Sequence, residues 1–272
     1  SLLASSLAYY TIFSLAPLLI LIIAIVGAIF GEEAARGEIV SQIRGLVGVE
    51  GAKVIETAIA NSAQPETSRW ASFISVVVLF FGASGVFGQL QEALNTIWNV
   101  KAKPGLNITN LIKKRILSFT AVIGIGFLLL VSLVINAALS ALNHYLSGFL
   151  PGGDFVWQFV NFASSFAVVA FLFALMYKFL PDVHIAWRDV TVGAIITALL
   201  FTIGKSLLGA YLGSGSFGST YGAAGSLVVI LLWVYYSAQI LFFGAEFTQI
   251  FAKRYGSQIV PNDYAVKIKQ NK

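Results

Sequence analysis

Cysteine is absent from the chain, which excludes disulfides, thiol nucleophiles and thiolate metal ligands. Histidine is scarce: His144 and His184 stand about forty positions apart with no partner histidine, so a histidine-based metal site has no support. Charge is scarce as well. Only 11% of residues are Asp, Glu, Lys or Arg, against about 25% in a soluble domain. The one acidic cluster, Glu32, Glu33 and Glu38, sits in a surface segment, so the clustered ligands of metal-dependent phosphodiester chemistry are missing. Gly204-Lys205-Ser206 resembles the end of a phosphate-binding loop, but that motif needs Gly at position 199, which is Leu. No enzyme activity, cofactor or metal is therefore expected.

What is present is apolar. Hydrophobic residues make up 58% of the 272, and the mean hydropathy is +0.85. A soluble chain of this composition has too little polar surface to cover its core, so an all-α polytopic membrane bundle is the expected fold. Six runs approach or exceed the roughly 20 residues that cross a bilayer as a helix: Leu7–Phe30, Trp70–Phe87 continuing to Asn99, Ile116–Leu142, Val156–Leu180, Val190–Leu212 and Ala223–Phe251. Pro17 is expected to kink the first, because it removes a helix hydrogen bond. Between the first two, residues 32–69 repeat Ile39, Ile43, Leu46, Val47 and then Val54, Ile55, Ala58, Ile59 at helical spacing. Two short amphipathic helices on the membrane surface, or capping the bundle, are expected there. Residues 1–252 form the membrane domain and residues 253–272 a polar tail. The chain opens inside an apolar run without an initiator Met, so a short preceding segment is expected to be missing.

Charge sets the orientation. Of the seventeen Lys and Arg, twelve lie in Lys101–Arg115, in Lys178–Asp189 and in the tail, all on one side of an alternating six-span path. Basic loops face the cytoplasm, so both termini are expected to be cytoplasmic and residues 32–69 external. The net charge of +5 is thus read as topology, with membrane lipids as the partner and no nucleic acid. Homo-oligomerisation stays open.

The polar residues within the spans are the candidate site, because such groups are costly in hydrocarbon. On α-helical spacing Gly85, Gln89, Glu92 and Thr96 share a face, as do Tyr235, Gln239 and Glu246. A polar cavity open to the cytoplasm, lined by Tyr9, Gln89, Glu92, Tyr235, Gln239 and Glu246, is one reading; salt bridges that fix helix ends are the other. Lys205 stands alone in the fifth span. It either snorkels to the external headgroups or holds an anion beside Tyr221 and Ser226 of a small-residue loop, Gly213–Ser226. An internal salt bridge is the third option.

Four long motifs carry a resemblance. SLAYYTIFSLAPLLI (Ser6–Ile20), FGASGVFGQLQEALNTIW (Phe81–Trp98), LPDVHIAWRDVTVGA (Leu180–Ala194) and YGAAGSLVVILLWVYYSAQILFFGAEFT (Tyr221–Thr248) are similar to the YihY/BrkB family of bacterial inner-membrane proteins. The resemblance implies a six-span bundle in the cytoplasmic membrane and brings no agreed catalytic residue. The family has carried a virulence label and an older tRNA-nuclease label, and some members have been linked to export of lipid-linked glycolipids. Together with the polar stripe and the lone cation, this points to translocation of an anionic lipid or lipid-linked glycolipid. The rivals are a non-transporting envelope-assembly protein and a proton-coupled exporter using Glu92 or Glu246.

Overall fold

A computed structural model describes residues 1–31, 85–103, 153–214, 217–256, 259–263 and 265–268, and eleven helical residues between Glu33 and Thr57. The start of the second expected span, all of Ile116–Leu142 and the basic residues Lys113, Lys114 and Arg115 lie outside the described residues.

The described chain is mostly helical. Helix α1 covers Leu2–Phe30 and continues through Pro17, so the proline does not end it. It stops at Gly31, whose φ of 90° is a conformation that glycine adopts at little cost. Helix α2 is described over 85–97 and turns at Asn99, a left-handed residue with φ 56°. Helix α3 is Gly153–Phe179, α4 is Trp187–Ser214 and α5 is Phe217–Tyr255. Among the described residues three stretches are long and apolar enough to cross a membrane: Gln158–Phe179, Trp187–Leu208 and Val228–Tyr255, with mean hydropathies of 2.1, 1.8 and 1.9. Hydroxyls within these helices bond back to the carbonyl one turn earlier, as Thr202 does to Ala198 at 2.8 Å. That local bond lets Ser and Thr sit in an apolar helix without an unsatisfied donor.

Two expectations need correction. The small-residue loop Gly213–Ser226 is mostly helix: α4 runs to Ser214 and α5 begins at Phe217. In an apolar setting an unpaired backbone group is costly, so the chain keeps its internal hydrogen bonds despite Gly218, Gly222 and Gly225. Tyr221 and Ser226 are therefore helical. The bundle is also not purely α. Among the described residues four short strands form two antiparallel ribbons: β1 (Val100–Ala102) with β4 (Ala265–Lys267), and β2 (Val183–His184) with β3 (Val260–Pro261). The stretch after α5 thus returns to stitch the turn after α2 to the turn after α3. Backbone bonds from Ile268 N–H to Asn99 O (2.8 Å) and from Asn262 N–H to Asp182 O (3.0 Å) extend both ribbons.

Helix α4 packs between α3 and α5, and α1 packs along α5. One core lies at the ribbon end, where the N-terminus of α1 (Ala4, Leu7) meets α2 (Leu90, Ala93, Leu94) and α5 (Leu241, Phe242). A second core joins Leu19, Ile22 and Ile23 of α1 to Ile230 of α5 and to Ile39 and Ile55. Ile39 and Ile55 belong to the amphipathic segment, whose Glu33, Arg44 and Glu56 are exposed. These two residues, one from each expected amphipathic helix, pack into the second core.

Candidate functional site

The ribbon end holds a buried polar network. Asp182 is 1% exposed. Its carboxylate accepts hydrogen bonds from Gln91 Nε2 at 3.0 Å and Asn95 Nδ2 at 2.9 Å, and its backbone N–H donates to Asn95 Oδ1 at 2.7 Å. Gln91 and Asn95 are one turn apart on α2, so both reach the same turn after α3. Gln249 of α5 closes the other side by donating to Ile97 O, a carbonyl at the end of α2, at 2.5 Å. Asp189, also buried, stands in the first turn of α4, where a carboxylate complements the helix dipole. It packs under Gly256, at which a Cβ would lie 2.3 Å from Asp189 Oδ2. Four elements are thus locked by two acids in the segment 182–189. Val183 and Ile185 of that segment are buried while His184 is exposed, the alternation of a half-buried strand.

Farther into the bundle, α4 and α5 meet along a seam of small residues. Gly193 faces Thr248, and Gly244 faces Thr197. Each helix carries Gly-x-x-x-Thr, and in the antiparallel pair each glycine receives the other helix's threonine. Small residues at this spacing allow close backbone approach. Tyr177 of α3 closes the seam: its hydroxyl donates to Leu241 O at 2.7 Å and lies 3.0 Å from Thr197 Oγ1.

The expected site residues distribute differently. Gln89 is half-buried and donates to Ser6 Oγ of α1 at 3.0 Å, while Gln239 donates to the Tyr235 hydroxyl at 2.8 Å. Those are the polar pairs the structure brings together. Tyr9 and Glu92 are exposed, and Glu246 is exposed in an outward stripe with Phe243 and Ile250. On α2 the deeply buried polar positions are Gln91 and Asn95, one residue away from the expected Glu92 and Thr96 face. Lys205 is exposed, with no carboxylate partner among the described residues. The side chains of Tyr221 and Ser226 lie outside the described residues. Among the described residues no group of three His, Asp or Glu could hold a metal.

Asp182, Asp189 and the two Gly-x-x-x-Thr pairs were missed in the sequence. The repeated spacing and the two acids flanking an apolar alternation were the available signals.

The comparisons with known proteins agree on one family. The model of the family described as virulence factor BrkB matches residues 1–268. Among relatives, a UPF0761 membrane protein of Psychrobacter sp. (strain PRwf-1) is 26% identical over 259 residues, covering 95% of this chain and 47% of the relative. One of Verminephrobacter eiseniae is 29% identical over 257 residues, covering 90% of this chain and 57% of the relative. One of Mannheimia succiniciproducens is 26% identical over 253 residues, covering 91% and 83%. The chain spans about half the length of the first two relatives. No solved structure matches it. The chain belongs to the virulence factor BrkB family of membrane proteins.

Proposed function

We propose that the chain forms a six-span bundle of the bacterial inner membrane that translocates an anionic lipid or lipid-linked glycolipid. The observation that carries this reading is the pair of half-buried polar contacts, Gln89 with Ser6 and Gln239 with Tyr235. Polar side chains within apolar helices are expensive and usually line a path or a cavity. An amphipathic substrate offers a headgroup to such a stripe while its tails remain in lipid. The test is reconstitution: purified protein in vesicles should speed transbilayer movement of a labelled anionic lipid above protein-free vesicles. The dense α4–α5 seam favours a second reading, a non-transporting assembly protein. Equal movement with and without protein would select it.

The charge of the ribbon end supports an orientation with both termini cytoplasmic. Lys101, Lys103, Lys178, Arg188, Lys253, Arg254 and Lys267 gather there, and by the basic-side rule that end is cytoplasmic. Residues 32–69 are then external. Because the chain has no cysteine, Ser62→Cys is a clean probe. It should react with an impermeant thiol reagent in intact spheroplasts. Reaction only after the membrane is broken would reverse the orientation.

Lys205 sits eighteen residues beyond the start of α4, about 27 Å along the helix at ~1.5 Å per residue. That brings it near the far edge of a hydrocarbon core roughly 30 Å thick, within reach of external headgroups. In the translocation reading it meets the anionic headgroup there, as a compact point charge. Lys205→Met should lower translocation at least several-fold with an unchanged melting temperature, and Lys205→Arg should retain part of the activity. Wild-type translocation by Lys205→Met would make the lysine a passive headgroup anchor.

A further inference from the structure

The outer face of α4 carries an apolar stripe that none of the preceding roles uses. Arg188, Thr191, Ile195, Leu199 and Ile203 are all exposed, and their spacing of three and four residues puts them on one side of the helix. On the side that meets α5 the residue types are different. There α4 presents Gly193 to Thr248, Thr197 to Gly244 and Gly204 to Tyr236. Helices that pack on one another in a membrane meet through such small residues. The large side chains of Ile195, Leu199 and Ile203 hold a second helix off and offer an acyl chain a continuous apolar surface. From Arg188 to Ile203 the stripe runs about 22 Å, at ~1.5 Å per residue, which exceeds one leaflet's half of a hydrocarbon core roughly 30 Å thick.

At the ribbon end the stripe begins in a group of aromatic and basic side chains. Phe179 ends one apolar span and Trp187 begins the next, so both mark the depth at which hydrocarbon gives way to headgroups, where tryptophan is enriched. Both rings are exposed and meet edge to face, with centroids 5.9 Å apart. Lys178 is fixed beside them: its Nζ lies 5.6 Å from the Trp187 ring centroid and donates to Ile185 O. An ammonium has three donors, so two remain. Arg188 follows Trp187 and heads the stripe, and a guanidinium can pair a phosphate through two N–H groups. The acids between Phe179 and Thr191 are Asp182 and Asp189, both buried at 1% exposure, whereas His184 and Arg188 are exposed. The exposed charge beside the stripe is therefore of one sign. It attracts a headgroup with net negative charge and repels a quaternary ammonium.

We propose that the outer face of α4 seats an anionic phospholipid of the leaflet at the ribbon end, with an acyl chain along Ile195 and Leu199 and the phosphate at Arg188 and Lys178 beside Trp187. The lipid is a resident ligand at equilibrium, so its binding stands apart from translocation and is measured separately.

Bromine near the headgroup end of an acyl chain quenches a tryptophan that it touches. Purified full chain would be reconstituted in phosphatidylcholine vesicles that hold a fixed fraction of brominated phosphatidylglycerol or, separately, of brominated phosphatidylcholine. The chain has five tryptophans, so the Trp187 signal is taken as the difference between wild type and Trp187→Phe. Brominated phosphatidylglycerol should quench that signal at least twofold more than brominated phosphatidylcholine. Lys178→Gln with Arg188→Gln should make the two lipids equal. Lys101→Gln with Lys267→Gln removes two charges from the β1–β4 ribbon and should keep the preference. Should Lys178→Gln fold poorly, Arg188→Gln decides alone, because that side chain is exposed; it should at least halve the preference. Equal quenching of the wild type by both lipids, a preference that Arg188→Gln leaves unchanged, or one that the Lys101 and Lys267 pair abolishes, would overturn the proposal. Quenching by neither lipid would overturn it too, since another protein segment would then cover the stripe.

Discussion

Replacing Asp182 by alanine should cost the protein about 3–5 kcal/mol of stability, because two buried donors then lose their acceptor at ~1–3 kcal/mol each and the site cannot be hydrated easily. Gln91 Nε2 and Asn95 Nδ2 both end on this carboxylate. The expected readout is a melting temperature lower by roughly 10 °C in detergent, since 1 kcal/mol corresponds to ~2–4 °C in a chain of about this size. A variant set makes the cause visible. Asp182→Asn keeps the shape but turns one acceptor into a donor that faces Asn95 Nδ2. Adding Asn95→Asp exchanges the two groups. The new amide at position 182 accepts from Gln91 and donates to position 95, whose carboxylate still accepts the backbone N–H of residue 182. The double variant should recover most of what Asp182→Asn loses. If it melts no higher than Asp182→Asn, the pairing of donors and acceptors is not what stabilises this turn.

The parts of this fold that were legible in the sequence are those governed by local pattern. Val156–Leu180 and Val190–Leu212 were read from length and hydropathy alone, and the helices are Gly153–Phe179 and Trp187–Ser214. Ile39 and Ile55 are expected on the apolar faces of two short amphipathic helices, and both are buried. What the sequence hid was non-local. Val260–Pro261 and Ala265–Lys267 are too short to show a period, and their partners lie some eighty to a hundred and sixty residues away. Asp182 follows Leu180-Pro181, a turn signal that suggests solvent, yet it is buried against Gln91 and Asn95 of α2 and the backbone of Asn262. On α2 the polar face was placed one residue off, because Glu92 and Gln91 are both polar and periodicity alone does not say which one the bundle encloses. The stretch 217–226 was misread for the opposite reason. Its glycines signal a loop in water, whereas an apolar surround favours the helix that satisfies every backbone group.

The second large effect concerns the α4–α5 seam. Gly193→Ala should destabilise the bundle by about 1–3 kcal/mol, the usual range for overpacking. A Cβ at this position would lie 1.7 Å from Thr248 Oγ1, 2.8 Å from its Cβ and 3.2 Å from its Cγ2. Thr248 has little freedom to yield: it is fully buried, and its hydroxyl donates to Gly244 O at 2.6 Å. The helices must therefore separate, and the neighbouring Thr197–Gly244 contact and its Tyr177 hydroxyl bond weaken with them. All three nearest atoms belong to one side chain, which makes rescue specific. Gly193→Ala with Thr248→Gly should regain much of the loss, less the ~1 kcal/mol or lower cost of a second helical glycine. Gly193→Ala with Thr248→Ala should regain little, because the Cβ that clashes at 2.8 Å remains. Thermal unfolding of the four proteins in one detergent provides the comparison. Equal melting temperatures for wild type and Gly193→Ala would show that the seam relaxes freely, and close glycine–threonine approach would no longer explain how α4 and α5 are held.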